Sequence, residues 1–355
     1  MVDQWILKIL LSPLAVLYGL GVAIRNGFYQ AGLLKGVSFG IPVISVGNLT
    51  VGGTGKTPHT EYLIRLLREY LKLAILSRGY RRKTTGYLEV NTFHDASIVG
   101  DEPLQYKRKY PDVQVAVAES RSLAIPLVLR SYPETQVVIM DDGFQHREVK
   151  PGLNILLTEF NSLYTRDWLL PVGRLREWRQ SADRADMIIV TKCPLSISAD
   201  QMQNIRSEVT RHPSQQVFFS RYFYGHPYKM YSGSRIELSA NLDVLLVVAI
   251  AGTEYLLEYV DSQVGEVRML EYHDHHPFSN FDIGNIELYY KNMSNDRQRI
   301  ILTTEKDAMR LDTHRELLRQ LDLPIYILPV AVQFVGEDAG AFDGAVKDWL
   351  LNFKH

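Results

Sequence analysis

Cysteine is almost missing from this chain: Cys193 stands alone among 355 residues. One thiol excludes an intrachain disulfide framework and a zinc site built from several cysteines, and it suits a reducing compartment. Net charge is nearly missing too. The 39 Lys and Arg against 40 Asp and Glu leave a formal charge of -1, which argues against bulk binding of nucleic acid. No internal repeat or low-complexity tract breaks the sequence. What remains is ordinary for a soluble globular protein, 46% hydrophobic and 22% charged, and long enough for two domains with substantial cores.

Long apolar runs are scarce, with one exception at residues 5–24. A signal peptide there needs a small-residue cleavage site and an exported product. A membrane-spanning helix has the length, but Lys8 and Pro13 interrupt it and Gly19 and Gly21 weaken it. A helix lying in the membrane surface, with Trp5, Lys8, Tyr18 and Arg25 near the headgroups, fits best. A buried core helix is the alternative.

The stretch that organises the chain is Val43 to Thr57. A β-branched apolar run predicts a buried strand. It ends in a glycine-rich turn, Gly52-Gly53-Thr54-Gly55-Lys56-Thr57, and an amphipathic helix follows with Tyr62, Leu63, Leu66, Leu67 and Tyr70 on one face. Strand, glycine loop, Lys-Thr and helix form the phosphate-binding P-loop arrangement. Glycines let backbone N–H groups close round a triphosphate, and the helix N-terminus adds a favourable dipole. Lys56 would reach the β- and γ-phosphates, and the Thr57 hydroxyl would face Mg²⁺. The strict pattern wants a glycine where Thr50 stands; Gly52 and Gly53 substitute for it. The expected cofactors are ATP and Mg²⁺.

Val137 to Met140, ending in Asp141-Asp142, is a buried strand that presents carboxylates at its tip, the usual Mg²⁺ partner of a P-loop. Either acid can be the ligand. Ser77-Arg78-Gly79-Tyr80-Arg81-Arg82-Lys83 gathers four cations at a strand end, which suits an anionic substrate or a solvated loop. Asp101 and Glu102 open a helix, either as favourable first-turn charges or with an acid serving as a base. In the segment Leu170–Trp178 two arginines and Glu177 can face the site. Thr191-Lys192-Cys193-Pro194 has some likeness to a guanine-reading turn but lacks its aspartate, which favours ATP over GTP.

Alternating strands and helices up to about residue 190 predict a doubly wound, mostly parallel α/β sheet. Residues 215–231, rich in Phe and Tyr, read as a connection. Strands at 243–250, 300–304 and 324–330 predict a second, smaller α/β domain. The expected division is an N-terminal membrane-associating helix over 1–30, a P-loop domain over 31–225 and a smaller domain over 226–355 that closes over the active site. The run Tyr272-His273-Asp274-His275-His276-Pro277 is too tight, and too poor in Cys, for a zinc site.

Taken in order, Gly47-Asn48-Leu49, the P-loop with Pro58, Ser77-Arg78-Gly79-Tyr80, Gly100-Asp101-Glu102-Pro103, Asp141-Asp142-Gly143-Phe144-Gln145-His146, Gly173-Arg174-Leu175-Arg176-Glu177, Asp274-His275-His276 and Thr304-Glu305-Lys306-Asp307 resemble the tetraacyldisaccharide 4'-kinase family. The resemblance spans about residues 5–330. It implies transfer of the ATP γ-phosphate to the 4'-hydroxyl of a tetraacylated glucosamine disaccharide 1-phosphate, at the cytoplasmic face of the bacterial inner membrane. It also implies roles: Asp101 as base with His275 as its dyad partner; Asp141, Asp142 and Glu177 at the metal; Arg78, Arg121, Gln145 and His146 at substrate or phosphates. The expected partners are the lipid substrate and the membrane surface, with neither nucleic acid nor an obligate protein. Two rival readings are a membrane-recruited P-loop ATPase switch and a kinase of a soluble sugar or cofactor. The switch usually carries a lysine where Val51 stands, and the apolar N-terminus counts against a soluble acceptor.

Overall fold

The computed structural model describes residues 4–354; the first three residues of the expected segment 1–30, and His355, lie outside the described residues. The chain packs as two units. The first holds the residues up to Arg78, Val113–Tyr222 and the residues from Val332 on; the second holds Gly79–Asp112 and Phe223–Ala331. The junction after Tyr222 falls near the expected 225, but two segments depart from the expected continuous split. Ion pairs explain one of them. In the second unit, helix Asp101–Lys109 is held to helix Glu305–Leu311 and the turn after it by Arg108–Asp312 at 2.8 Å and Lys109–Glu305 at 2.7 Å. Aromatic packing explains the other. In the first unit, helix Asp338–Leu351 sets Phe342 against Tyr62, Phe218 and Phe334, with ring centroids 4.6–5.9 Å apart.

The first unit is built on a sheet whose order runs Val330–Phe334, Gln216–Tyr224, Met187–Thr191, Leu153–Glu159, Val43–Asn48, Val137–Asp141, Leu73–Ser77, Gln114–Val117. The last seven pair in parallel. Their near-continuous apolar runs follow from burial on both faces, as parallel sheets require. Val43–Asn48 sits in the middle, all six residues buried. The sequence order of the strands reverses beside it, and open α/β sheets bind ligands at such a reversal, beyond the strand C-termini. The register sets Val46 opposite Asp141, so the acid-tipped strand ends next to the glycine loop. Residues 215–231, expected as a mere connection, hold the strand Gln216–Tyr224 and then the short strand Tyr228–Lys229.

The helix after the glycine loop spans Lys56–Leu67 and buries Leu63, Ile64 and Leu67. Tyr70, expected on its apolar face, lies past the helix end and is exposed. The N-terminal helix, Gln4–Gln30, is long and apolar enough to cross a membrane. Its less exposed positions, Leu11, Ala15, Gly19, Val22, Asn26 and Tyr29, recur every three or four residues and form one narrow stripe. The rest of its surface, including Trp5, Leu10, Leu17 and Ile24, is exposed and apolar. Two residues expected at headgroups face the protein instead: the Tyr18 hydroxyl donates to the Arg176 carbonyl at 2.8 Å, and Arg25 donates to the Gln145 carbonyl at 3.2 Å.

The second unit carries its own sheet, ordered Glu266–Glu271, Leu242–Val248, Gln298–Thr304, Ile325–Leu328, Tyr228–Lys229, parallel except for the last pair. Leu242–Val248 is wholly buried, and its side chains alternate between two cores. Leu245 and Val247 meet Ile283 and Ile286 of helix Asn280–Lys291; Val244, Leu246 and Val248 meet Leu256 and Val260 of helix Glu254–Asp261. The edge strand Glu266–Glu271 was not expected, because a half-exposed edge needs no apolar run.

Candidate active site

In the first unit the strand Val43–Asn48 delivers Asn48 at its buried end, and Asn48 organises the loop that follows. Its amide donates to the Thr54 hydroxyl at 2.8 Å, while its carbonyl side receives Lys56 Nζ at 3.4 Å. The Thr191 hydroxyl donates to the Thr54 carbonyl at 3.0 Å, which ties the loop to a neighbouring strand tip. Gly52 and Gly55 have φ of +109° and +89°, conformations that L side chains rarely adopt. At Gly55 a Cβ would also lie 2.8 Å from the Tyr222 hydroxyl. Gly53 lies between Gly52 and Thr54, and Thr57 follows Lys56 in the first turn of the helix.

Lys56 Nζ stands 3.6 Å from Asp142 Oδ1, and Arg176 Nη1 lies 3.3 Å from Asp142 Oδ2. Burial disfavours ionised Asp142, but the Lys56 and Arg176 charges override it and hold this acid down at about 2. Asp142 has φ of +50°, a conformation uncommon outside glycine, and stored backbone strain tends to gather at functional sites. Asp141 is buried beside it, with Oδ2 accepting from Ser77 Oγ at 3.4 Å. Thr57, Asp141 and Asp142 supply oxygens alone, a donor set that suits a hard cation such as Mg²⁺. Among the described residues no group of three or more His, Cys, Asp or Glu can hold a metal. A cation here therefore leans on one or two carboxylates and on nucleotide phosphates.

Arg121 is fully buried and donates to the Ala118 and Asp141 carbonyls. Burial pushes its guanidinium down to about 10 against the pull of Asp141 and Asp142, so it keeps its charge at neutral pH. That charge and burial, burial first, push His146 down to about 4, leaving it neutral. Arg78, exposed at the end of its strand, adds to both effects. Gln145 bridges by donating to the Asn48 carbonyl at 2.8 Å and accepting from Arg176 at 3.3 Å.

Glu177 is placed differently from the metal role expected of it. It is buried, and its two oxygens accept from Arg184, Ser181 and, at 3.1 Å, Asn26 of the N-terminal helix. The Trp178 indole donates to the Gly19 carbonyl at 2.8 Å. Through these bonds Glu177 ties the apolar helix to the segment that carries Arg176.

The second unit holds the other expected pair, Asp101 and His275; the resemblance implies one from each domain, but because Gly79–Asp112 belongs to this unit both come from the same one. Asp101 opens the helix Asp101–Lys109 after Gly100, whose φ is +93°. Asp101 Oδ2 lies 3.2 Å from His275 Nδ1 and 3.4 Å from Arg310 Nε. His275 is held with φ of +60°; its N–H donates to the Ala249 carbonyl, its own carbonyl accepts from Arg81, and Tyr80 meets its ring edge-on at 4.8 Å. The neighbouring His276 is taken by Asp282 at 3.0 Å.

Residues 7–350 match the family model described as LpxK, tetraacyldisaccharide-1-P 4'-kinase. The chain belongs to this family. Tetraacyldisaccharide 4'-kinase of Flavobacterium johnsoniae is 41% identical over 97% of this chain and 98% of its own length, and that of Phocaeicola vulgatus is 39% identical over 98% and 95%. The crystal structure of LpxK from Aquifex aeolicus in complex with ATP matches with a TM-score of 0.71 at 27% identity, covering 97% of this chain and 99% of that one.

Within this LpxK-family frame, one unit brings together Lys56, Asp141, Asp142, Arg121, Gln145 and His146, and the other brings together Asp101 and His275. Asn48 and Lys306 stand in the motifs Gly47-Asn48-Leu49 and Thr304-Glu305-Lys306-Asp307 but were given no role from sequence, and Arg310 was not singled out at all. Asn48 had a further signal, a polar residue ending an otherwise apolar strand. Arg310 had only its place in the helix after the strand Gln298–Thr304, where charged residues usually do no more than begin a helix.

Proposed function

We propose that this member of the family phosphorylates the 4'-hydroxyl of a tetraacylated glucosamine disaccharide 1-phosphate, using ATP, at the inner-membrane surface. Lys56 and the loop N–H groups hold the nucleotide phosphates and neutralise charge as it builds on the transferred group. Thr57, Asp141 and Asp142 would hold Mg²⁺, which supplies further charge neutralisation when bound. Asp101 accepts the proton of the sugar hydroxyl while the new O–P bond forms and the bond from the γ-phosphorus to the ADP oxygen breaks. His275 orients that carboxylate. Arg78, Arg121, Gln145 and His146 line the phosphate-bearing half as substrate contacts, with His146 neutral and the arginines charged. The exposed apolar face of Gln4–Gln30 serves as the membrane contact that brings the enzyme to its lipid.

The observation that carries this reading is the Asp101–His275 pair, at 3.2 Å. A nucleotide switch needs no general base for an alcohol, whereas a kinase gains from one. Transfer of labelled γ-phosphate from ATP to tetraacyldisaccharide 1-phosphate in mixed micelles tests it. Wild type should transfer, and Asp101→Ala should lose about 10²–10⁴-fold. Undiminished transfer by Asp101→Ala would discard the base. ATP hydrolysis without transfer by wild type would discard the kinase reading in favour of the switch.

A further inference from the structure

Lys306 is the least explained charge beside the proposed dyad. It sits in the first turn of the helix Glu305–Leu311, and its Nζ lies 2.8 Å from Glu102 Oε1 and 3.1 Å from His275 Nε2. An ammonium has three N–H donors and no lone pair. The ring nitrogen that faces it therefore has to be the unprotonated one. The single proton of a neutral imidazole then sits on Nδ1, 3.2 Å from Asp101 Oδ2, where it donates to the carboxylate.

We infer that Lys306, held by Glu102, is a positioning residue that fixes His275 in the tautomer with its proton on Nδ1, so that the ring donates to Asp101. The inference rests on the reading of Asp101 as the base. Without Lys306 the proton can sit on Nε2, and Nδ1 would then face Asp101 lone pair to lone pair. With Lys306 in place, the Nδ1–H donates to Oδ2 of Asp101, and Arg310 Nε stands 3.4 Å from that same oxygen as an ion pair, so Oδ1 is the oxygen without a partner among the described residues. That oxygen is the one available to receive a hydroxyl proton.

The charges around the ring agree. Burial works against the Lys306 ammonium, but Glu102, Asp101 and Asp274 hold it above its ordinary value, so it stays a donor. Burial likewise opposes ionised Glu102, yet the Lys306 ammonium, 2.8 Å away, holds that acid down at about 2. Asp274 Oδ2, 3.8 Å from Nε2, stands beyond hydrogen-bond reach, so Lys306 at 3.1 Å is the group that meets this nitrogen.

Nitrogen-15 NMR of histidine-labelled protein reads the tautomer directly, with the His275 signals identified by their loss in His275→Gln. Wild type at neutral pH should show Nδ1 protonated and Nε2 bare. Lys306→Met should admit the Nε2–H form and lower kcat about 10- to 100-fold, a part of what a base supplies, with KM for ATP unchanged. In a His275→Ala background, Lys306→Met should cost nothing further. A wild-type ring protonated on Nε2, or on both nitrogens, would overturn the inference, and so would an equal loss from Lys306→Met without the histidine. Reading the wild-type spectrum needs only that His275→Gln fold, which its retained signals from the other histidines report. The base itself is judged separately: an active Asp101→Asn would remove the base while leaving the tautomer result standing.

Discussion

Lys56 reaches to 3.6 Å from Asp142, a residue held at φ of +50°, so the P-loop cation and the acid at the end of the neighbouring strand form a pair. Arg176 shares the same carboxylate. The pair keeps Lys56 directed at the site, and the strain at Asp142 is a cost that the position bears.

Substitutions separate those two effects. Asn tolerates a left-handed backbone nearly as well as Asp, so Asp142→Asn should fold with little loss of stability. It removes the charge beside Lys56 that is proposed to help hold Mg²⁺, and kcat should fall about 10²–10³-fold, in the range of one lost electrostatic contact. Asp142→Val should in addition destabilise by about 1–3 kcal/mol through its backbone. Urea unfolding and phosphoryl-transfer rates on the same preparations give both numbers. Equal stability for the two variants would show that the left-handed conformation carries no strain.

Two buried histidines set how stability responds to acid. Burial pushes His59 down to about 4; its Nδ1 lies 2.7 Å from the Gly55 carbonyl and its Nε2 2.9 Å from the Ser220 hydroxyl. His146 is likewise down at about 4. Below their ordinary value of 6.5 the unfolded chain takes up these protons and the folded protein does not, so stability falls as pH drops from about 6.5 to about 4. Glu102 and Asp142, both near 2, extend the fall below about pH 4. Urea midpoints at pH 7, 6 and 5 should decline, and His146→Asn should make the decline shallower. A midpoint flat over that range would contradict neutral, buried histidines.

The N-terminal helix rests on one glycine. A Cβ at Gly19 would lie 2.6 Å from the Trp178 ring and 2.7 Å from Leu169, whereas one at Gly21 meets nothing within 4 Å. Gly19→Ala should destabilise the docked helix by about 1–3 kcal/mol, the usual cost of overpacking. Gly21→Ala should be neutral or stabilising by up to about 1 kcal/mol, because alanine favours helix. Thermal unfolding of both variants, followed by Trp fluorescence, compares them. The reverse order would mean that the helix does not dock through this stripe.

The sequence carried more of the first unit than of the second for a physical reason. A parallel sheet buried on both faces leaves continuous apolar runs, so Val137–Asp141 and Met187–Thr191 could be read almost to the residue, while Val43–Asn48 was expected two residues early, at Ile41–Val46. The loop between Asn48 and Lys56 was equally plain, since left-handed turns demand glycine at Gly52 and Gly55. The edge strand Glu266–Glu271 left no such trace, because half of it faces water. Ion pairing was the least legible part. Nothing in the spacing of Asp101, Lys306 and Arg310 shows that one carboxylate meets the histidine and Arg310 while Lys306 meets the same ring. The membership of Gly79–Asp112 in the second unit follows from such pairs too, and composition does not report them.

Glu177 is where residue type and placement pull apart most sharply. A carboxylate near a P-loop reads as a metal ligand, yet this one is buried and accepts from Arg184, Ser181 and Asn26. Burial disfavours its ionised form, but Arg184 and the surrounding donors outweigh that and hold its pKa below the ordinary carboxylate value. An anchor and a ligand predict different losses. Glu177→Gln should destabilise the protein by no more than about 3 kcal/mol, since Arg184 is partly exposed and can rehydrate. It should leave the Mg²⁺ concentration for half-maximal rate unchanged, while Asp142→Asn should raise it. Stability measured by urea unfolding and velocity measured across a Mg²⁺ titration decide the matter. A shifted Mg²⁺ requirement with stability unchanged would return Glu177 to the metal and require it to release Asn26 or Arg184 when the cation binds.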